Sequence, residues 1–208
     1  MKNKQSYLQD LAEVRAMMER SSKFLSLSGL AGVLAGLYAL LGSYIVWRVM
    51  GFDPAKPVDL VSSFWGIPEA LLAPVAVAVG VLFFAAGTAI ILSAGKARSK
   101  REKLWNPAAR RMIIQLLVPL VCGGTLALIF MARGMAEVTV SFTLIFYGLG
   151  LYNAGRFTYG EISSLGLINL VLGLLAAWKP AYGLLCWAAG FGLAHILYGI
   201  YMHYRYER

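Results

Sequence analysis

Six long apolar stretches, separated by short polar breaks, constrain the fold of this chain more than any other feature of its sequence. They lie at about 24–48, 69–94, 112–132, 137–154, 162–178 and 181–204. A helix of about 17–25 mainly apolar residues crosses the hydrocarbon core of a bilayer, and each stretch meets or nearly meets that length. The sequence therefore predicts an all-α, polytopic membrane protein with six transmembrane helices.

The composition points the same way. Charged residues make up only 14% of the chain and hydrophobic residues 59%, whereas soluble domains carry about 25% charged residues. The spans and their connections use nearly all of the 208 residues. We therefore expect one six-helix transmembrane domain over 24–208, preceded by a cytoplasmic segment over 1–23, and no separate enzymatic module.

The basic residues predict the orientation of the chain. If the spans alternate in direction from an inside N-terminus, most basic residues fall on the inner side: Lys2, Lys4, Arg15, Arg20, Lys23, Lys96, Arg98, Lys100, Arg101, Lys103, Arg110, Arg111, Arg156, Arg205 and Arg208. Cytoplasmic loops carry the excess of Lys and Arg, so both termini are predicted to be cytoplasmic. The net charge of +9 then reflects topology and attraction to anionic lipid headgroups at the cytoplasmic face. Nucleic acid is not an expected partner.

The segment before the first span has a helical pattern of its own. Over 6–22, apolar residues recur at three- and four-residue spacing, at Leu8, Leu11, Val14 and Met18. This spacing predicts an amphipathic helix on the cytoplasmic membrane surface. The alternative is a docking helix for a protein partner, with the basic segment 96–111 as a second surface for such a partner.

Strongly polar residues inside the predicted spans are the candidate functional site, because polar groups are costly within a bilayer. Counting about 1.5 Å per helical residue places several of them at one level in the cytoplasmic half of the membrane: Gln115, Asn153, Ser163, Ser164 and His195. Arg156, Glu161 and Tyr198 should lie just below, at the boundary, where the spacing of Arg156 and Glu161 suggests an ion pair. Asn169 falls about two turns further out and is not expected to contact His195.

Two interpretations of His195 stay open. In the first, which we favour, His195 and Asn153 are interhelical hydrogen-bond partners that fix the packing of the last three spans. In the second, they form the floor of a polar pocket open to the cytoplasm, where His195 exchanges protons near neutral pH.

No catalytic or cofactor motif accompanies these residues. The sequence has no HExxH helix and no supported GxSxG arrangement, and both cysteines, Cys122 and Cys186, are interpreted as packing thiols. No metal site and no cofactor are expected. The favoured function is a non-enzymatic membrane protein that binds or regulates a partner. The alternative is a small-solute transporter or permease with a cytoplasm-facing polar pocket near His195.

A resemblance to a family is carried by two parts of the chain: MERSSKFLSLSGLAGVLAG at 18–36, and LIFYGLGLYN at 144–153 together with GFGLAHILYG at 190–199. They resemble a family of small multi-pass membrane proteins of Bacteroidetes-type bacteria that has no established activity. The resemblance implies location in a bacterial cytoplasmic (inner) membrane. It implies nothing about mechanism, and no functional residue is transferred from it.

Overall fold

The computed structural model of the chain describes residues 23–55, 63–64, 67–101 and 104–207. Its first five long helices are α1 (Gly29–Tyr44, continued by a π-helical turn, Ile45–Val49), α2 (Glu69–Ser99), α3 (Pro107–Ala132), α4 (Ala136–Ala154, continued by a 3-10 turn, Gly155–Phe157) and α5 (Glu161–Trp178). The last span, Pro180–Tyr206, contains a 3-10 turn (Pro180–Tyr182), α6 (Gly183–Trp187), a π-helical segment (Ala188–Leu193) and α7 (Ala194–Tyr206). Two short antiparallel strands, β1 (Ser63–Phe64) and β2 (Ile67–Pro68), precede α2.

The described residues contain six helices that are long and apolar enough to cross a membrane, which confirms the predicted helical fold and the predicted number of long apolar helices. The first helix begins at Gly29, later than expected, because the residues before it pair with the turn after α4. The Phe24 N–H donates to the Phe157 carbonyl at 2.7 Å, and the Thr158 hydroxyl donates to the Phe24 carbonyl at 2.6 Å. The predicted amphipathic helix at 6–22 lies outside the described residues.

The basic segment 96–111 is largely helical at its two ends. α2 runs on to Ser99, and α3 begins at Pro107 after an Asn106 cap whose side chain accepts a hydrogen bond from the Ala109 N–H at 2.8 Å. A side-chain acceptor at the N-cap satisfies a free backbone N–H, and proline suits the first helical position. The connection that remains between α2 and α3 is therefore short.

The helices follow one another around an open ring in the order α2, α1, last span, α5, α4, α3. Small residues allow the closest approaches, as is usual between membrane helices. A Cβ atom added to Gly199 in α7 would lie 2.5 Å from the Gly29 carbonyl oxygen of α1. A Cβ atom added to Gly148 in α4 would lie 2.7 Å from the Gly166 carbonyl oxygen of α5. These contacts join neighbouring members of the ring.

The ring is open between α2 and α3. Within the part of the chain that the structure describes, α2 packs along α1 and not along α3. At one end, Leu71 of α2 is buried in a cluster with Met131 and Ala136. We call the other end, which carries the 155–160 turn and the chain segments 23–28 and 206–207, the basic end. The middle of α2 is exposed, with Phe83 at 73%.

Candidate functional site

The π-helical segment of the last span determines the hydrogen bonding of His195. A π-helical turn displaces a backbone carbonyl from the regular α-helical pattern, and such turns occur often at functional sites. Here the His195 Nδ1 lies 2.8 Å from the Gly190 carbonyl oxygen. A carbonyl oxygen only accepts, so Nδ1 carries the proton. The Nε2 atom of the neutral ring then accepts from the Tyr147 hydroxyl of α4, at 2.8 Å.

Aromatic rings extend this pair along one wall. The centroids of Tyr147 and His195 are 5.6 Å apart with nearly parallel planes. Phe191 lies 4.8 Å from Tyr147, and Trp187 lies 4.8 Å from Phe191. Pairs at these separations are mutually attractive beyond the effect of burying their area. The last span and α4 thus build an aromatic wall, defined as Trp187, Phe191, Tyr147 and His195.

The aromatic wall lines one side of a cavity of about 370 Å³, and residues of α1, α2, α3 and α4 line its other sides. Its other walls are almost entirely apolar, with Ala39, Leu82, Leu120 and Gly124 among them. None of the described lining residues is Asp, Glu, Lys or Arg. The volume falls within the range of about 300–1,000 Å³ that small-molecule sites occupy. α2 and α3, which both line the cavity, do not pack along each other, so the cavity has a lateral opening between them.

The predicted polar cluster does not assemble around His195. His195 itself is buried, but its partners are Tyr147 and Gly190 and not Asn153. Gln115 and Ser164 are exposed, while Ser163 donates to the Tyr152 carbonyl at 3.1 Å. Neither Asn153 nor the serines line the cavity. The favoured pairing of His195 with Asn153 is replaced by pairing with Tyr147.

Asn169 of α5 does not line the cavity but contacts the π-helical segment that carries part of its wall. Its side chain is fully buried, and its amide group donates to the Leu165 carbonyl at 2.9 Å. Its Oδ1 atom has no hydrogen-bond partner among the described residues and would lie 2.7 Å from a Cβ atom added to Gly190. The glycine Cα–H group therefore points at this oxygen, a weak contact that holds the π-helical segment against α5.

Replacement of Gly190 by alanine should disturb this arrangement. The added methyl group would meet both Asn169 Oδ1 and, at 2.8 Å, Leu144 Cδ2, so either these two buried side chains or the π-helical segment must shift. We expect a loss of about 1–2 kcal/mol, measured by thermal unfolding in detergent. Gly80→Ala is the control, because nothing lies within 4 Å of its Cβ position. Equal stability of the two variants would contradict the described packing.

The predicted boundary residues have other partners than expected. The suggested partner of Glu161 was Arg156, but its contacts come from α7 instead. The Tyr206 hydroxyl donates to the Glu161 carboxylate at 2.8 Å, and the Arg205 guanidinium lies 3.9 Å from it. Tyr198 packs on a buried cluster between α4 and α5 that includes Leu151. These residues join helices at the basic end and do not line the cavity.

A second polar cluster lies at the basic end, and the sequence did not predict it. Glu207 accepts hydrogen bonds from Lys96 at 2.9 Å, from the Gly29 N–H at 2.8 Å and from His203 at 2.7 Å. Lys96 also donates to the Leu27 carbonyl at 2.6 Å. This Glu207 cluster, defined by these five residues, fastens the end of α2 to the first turn of α1 and to the end of α7.

The cavity lining is mainly apolar, and its polar side chains are Tyr147, His195, Thr139 and Thr143. Among the described residues, no three His, Cys, Asp or Glu side chains are grouped to hold a metal ion. His195 and Tyr147 hydrogen-bond each other, and no described residue of the cavity lining carries a carboxylate. The chain matches no protein-family model, no curated protein and no solved structure. The geometry of the cavity is therefore the basis for a functional proposal.

Proposed function

We propose that this protein is a non-enzymatic, multi-pass protein of a bacterial cytoplasmic membrane that binds an apolar or amphiphilic molecule of the bilayer in its interior cavity. The observation that carries the proposal is the cavity of about 370 Å³, apolar on most of its walls and bounded on one side by the partly buried Tyr147–His195 pair. Ligand sites have this composition: mainly apolar walls with few, well-placed polar groups.

The lateral opening supports entry from the membrane. α2 packs along α1, and its ends are held by the Leu71 cluster and by the Glu207 cluster. The rest of its middle is exposed or lines the cavity. A guest that is already dissolved in the hydrocarbon core can enter between α2 and α3 without leaving an apolar environment. Entry then requires no dehydration of the guest.

We also propose that a protein partner binds at the cytoplasmic face. Both termini are proposed to be cytoplasmic, so that 6–22 and 96–111 face the cytoplasm and the anionic headgroups. The basic end would then transmit occupancy of the cavity, because Lys96 and Gly29 join α2 and α1, two cavity-lining helices, to the same carboxylate.

A solute carrier with a polar pocket is the alternative, and the cavity lining favours it less. A hydrated pathway was expected to reach Asn153, Ser163 and His195, but only His195 lines the cavity. The hydroxyl groups of Thr139 and Thr143, which do line it, donate to backbone carbonyls. Few polar atoms are left to solvate a small polar solute.

Brominated lipids test the lateral opening. In a variant that keeps only Trp187, with Trp47, Trp65, Trp105 and Trp178 replaced by Phe, we expect phospholipids brominated in mid-chain to quench the tryptophan strongly. Gly124→Phe in the same background should relieve the quenching, since nothing lies within 4 Å of the Gly124 Cβ position and the new ring fills the cavity. Unchanged quenching after this substitution would contradict the proposal.

A further inference from the structure

The hydrogen-bonding state of Tyr147 restricts what the cavity can recognise. Its hydroxyl proton is donated to the Nε2 atom of His195, because Nδ1 of that ring is committed to the Gly190 carbonyl. A phenolic oxygen both donates and accepts. Among the described residues, the Tyr147 oxygen accepts no hydrogen bond. The Tyr147–His195 pair therefore offers an acceptor and no remaining donor.

The other hydroxyl groups of the lining do not restore a donor. Thr143 donates to the Val140 carbonyl at 2.7 Å. The Thr139 hydroxyl oxygen lies 3.4 Å from the carbonyl oxygens of Ala127 and Met135, to which it can donate its proton. A guest with only acceptor oxygens, such as an ether or ester, thus finds no partner on these walls. A guest that carries an O–H group finds one at Tyr147.

The aromatic wall adds a preference for shape. Trp187, Phe191 and Tyr147 follow one another at centroid separations of 4.8 Å, with planes tilted by 33° and 40°. Aromatic rings gain from stacking on such surfaces beyond the area they bury. The absence of charged side chains from the described lining means that an ionised guest would be left unpaired in an apolar site, which is costly.

We infer that the guest belongs to the class of uncharged phenol- or hydroquinone-type lipids: a hydroxylated aromatic ring that donates to the Tyr147 oxygen, with an apolar tail toward the opening between α2 and α3. This inference rests on the proposed function, since it names the guest of the same cavity.

Displacement of a fluorescent apolar dye, N-phenyl-1-naphthylamine, from the purified protein in detergent tests the inference. The competitors are 4-nonylphenol, its methyl ether 4-nonylanisole, and nonylbenzene, each corrected for its partition into empty micelles. Because one net hydrogen bond changes affinity severalfold, we expect the phenol to bind about fivefold more tightly than the ether. The ether and nonylbenzene should bind alike, because the wall has no donor for the ether oxygen.

The double variant Tyr147→Phe/His195→Leu removes the Tyr147 oxygen and also the His195 Nε2 atom, which would otherwise become a free acceptor. It should abolish the preference for the phenol, while dye binding shows that the variant is folded. Tyr152→Phe, which removes a phenolic hydroxyl of α4 outside the cavity lining, should leave the preference intact. Equal affinity of the three competitors for the native protein would overturn the inference and leave the proposed function standing. Absence of saturable dye binding to the native protein would overturn both.

Discussion

Replacement of Gly199 by alanine should lower the melting temperature by roughly 10 °C, corresponding to about 3 kcal/mol of stability. The added methyl group would lie 2.5 Å from both the Gly29 carbonyl oxygen and the Val33 nitrogen. Both are backbone atoms in the first part of α1, so neither can rotate aside as a side chain would. α1 and α7 must separate, and their contact also positions one wall of the cavity. Thermal unfolding in detergent gives the measurement.

Gly87→Ala is the matched control for this prediction. Gly87 lies in the middle of α2, and nothing lies within 4 Å of its Cβ position. Alanine is a better helix former than glycine by up to about 1 kcal/mol, so this variant should equal or exceed the native protein in stability. If both substitutions have the same effect, the close crossing of α1 and α7 is wrong.

Removal of the Glu207 carboxylate should have an effect of similar size. Lys96 and Glu207 have side chains only 12% and 14% exposed, and a buried ion that loses its partner costs about 3–5 kcal/mol. We expect Glu207→Ala to lose about 3 kcal/mol at neutral pH. Glu137→Ala, at an exposed acid in the first turn of α4, should lose less than about 1 kcal/mol. A loss for Glu207→Ala no greater than for this control would contradict the described cluster.

The same cluster predicts a pH dependence. Burial alone would raise the pKa of Glu207, but hydrogen bonds from Lys96, His203 and the Gly29 N–H outweigh it and lower the pKa from 4.5 to about 2. A depressed pKa in the folded state stabilises the protein fully above pH 4.5 and progressively less as the pH falls toward 2. The stability difference between the native protein and Glu207→Gln should therefore shrink as the pH falls from 4.5 toward 2. A difference that does not change over this interval would contradict the assignment.

The spans could be predicted from the sequence because hydropathy and length determine them directly. The level of each residue within a span follows from counting, but the direction that it faces does not. Gln115 and Ser164 are exposed, because a small error in the assumed helix rotation moves a side chain from the interior to the outer surface. Counting residues gives the position of a side chain along the helix axis, but it does not give the direction in which the side chain points around that axis.

His195 could be identified as a buried polar residue, whereas its partner could not. Tyr147 lies within an apolar stretch, where a tyrosine is indistinguishable from a packing residue. The Gly190 carbonyl that pairs with His195 lies in the π-helical segment, and a local change in helix winding leaves no periodic signal. Lys96 and Glu207 are 111 positions apart, at the ends of separate helices, so no local pattern connects them.

Saturable binding of N-phenyl-1-naphthylamine tests the central claim, an interior cavity that takes an apolar guest, most directly. We predict one saturable site per chain, above the linear partition into detergent, in the native protein. Gly124→Trp, whose indole would occupy the cavity, should abolish this component, and Gly87→Trp, which is not in the cavity lining, should retain it. Native-like binding by Gly124→Trp, or no saturable binding by the native protein, would contradict the claim.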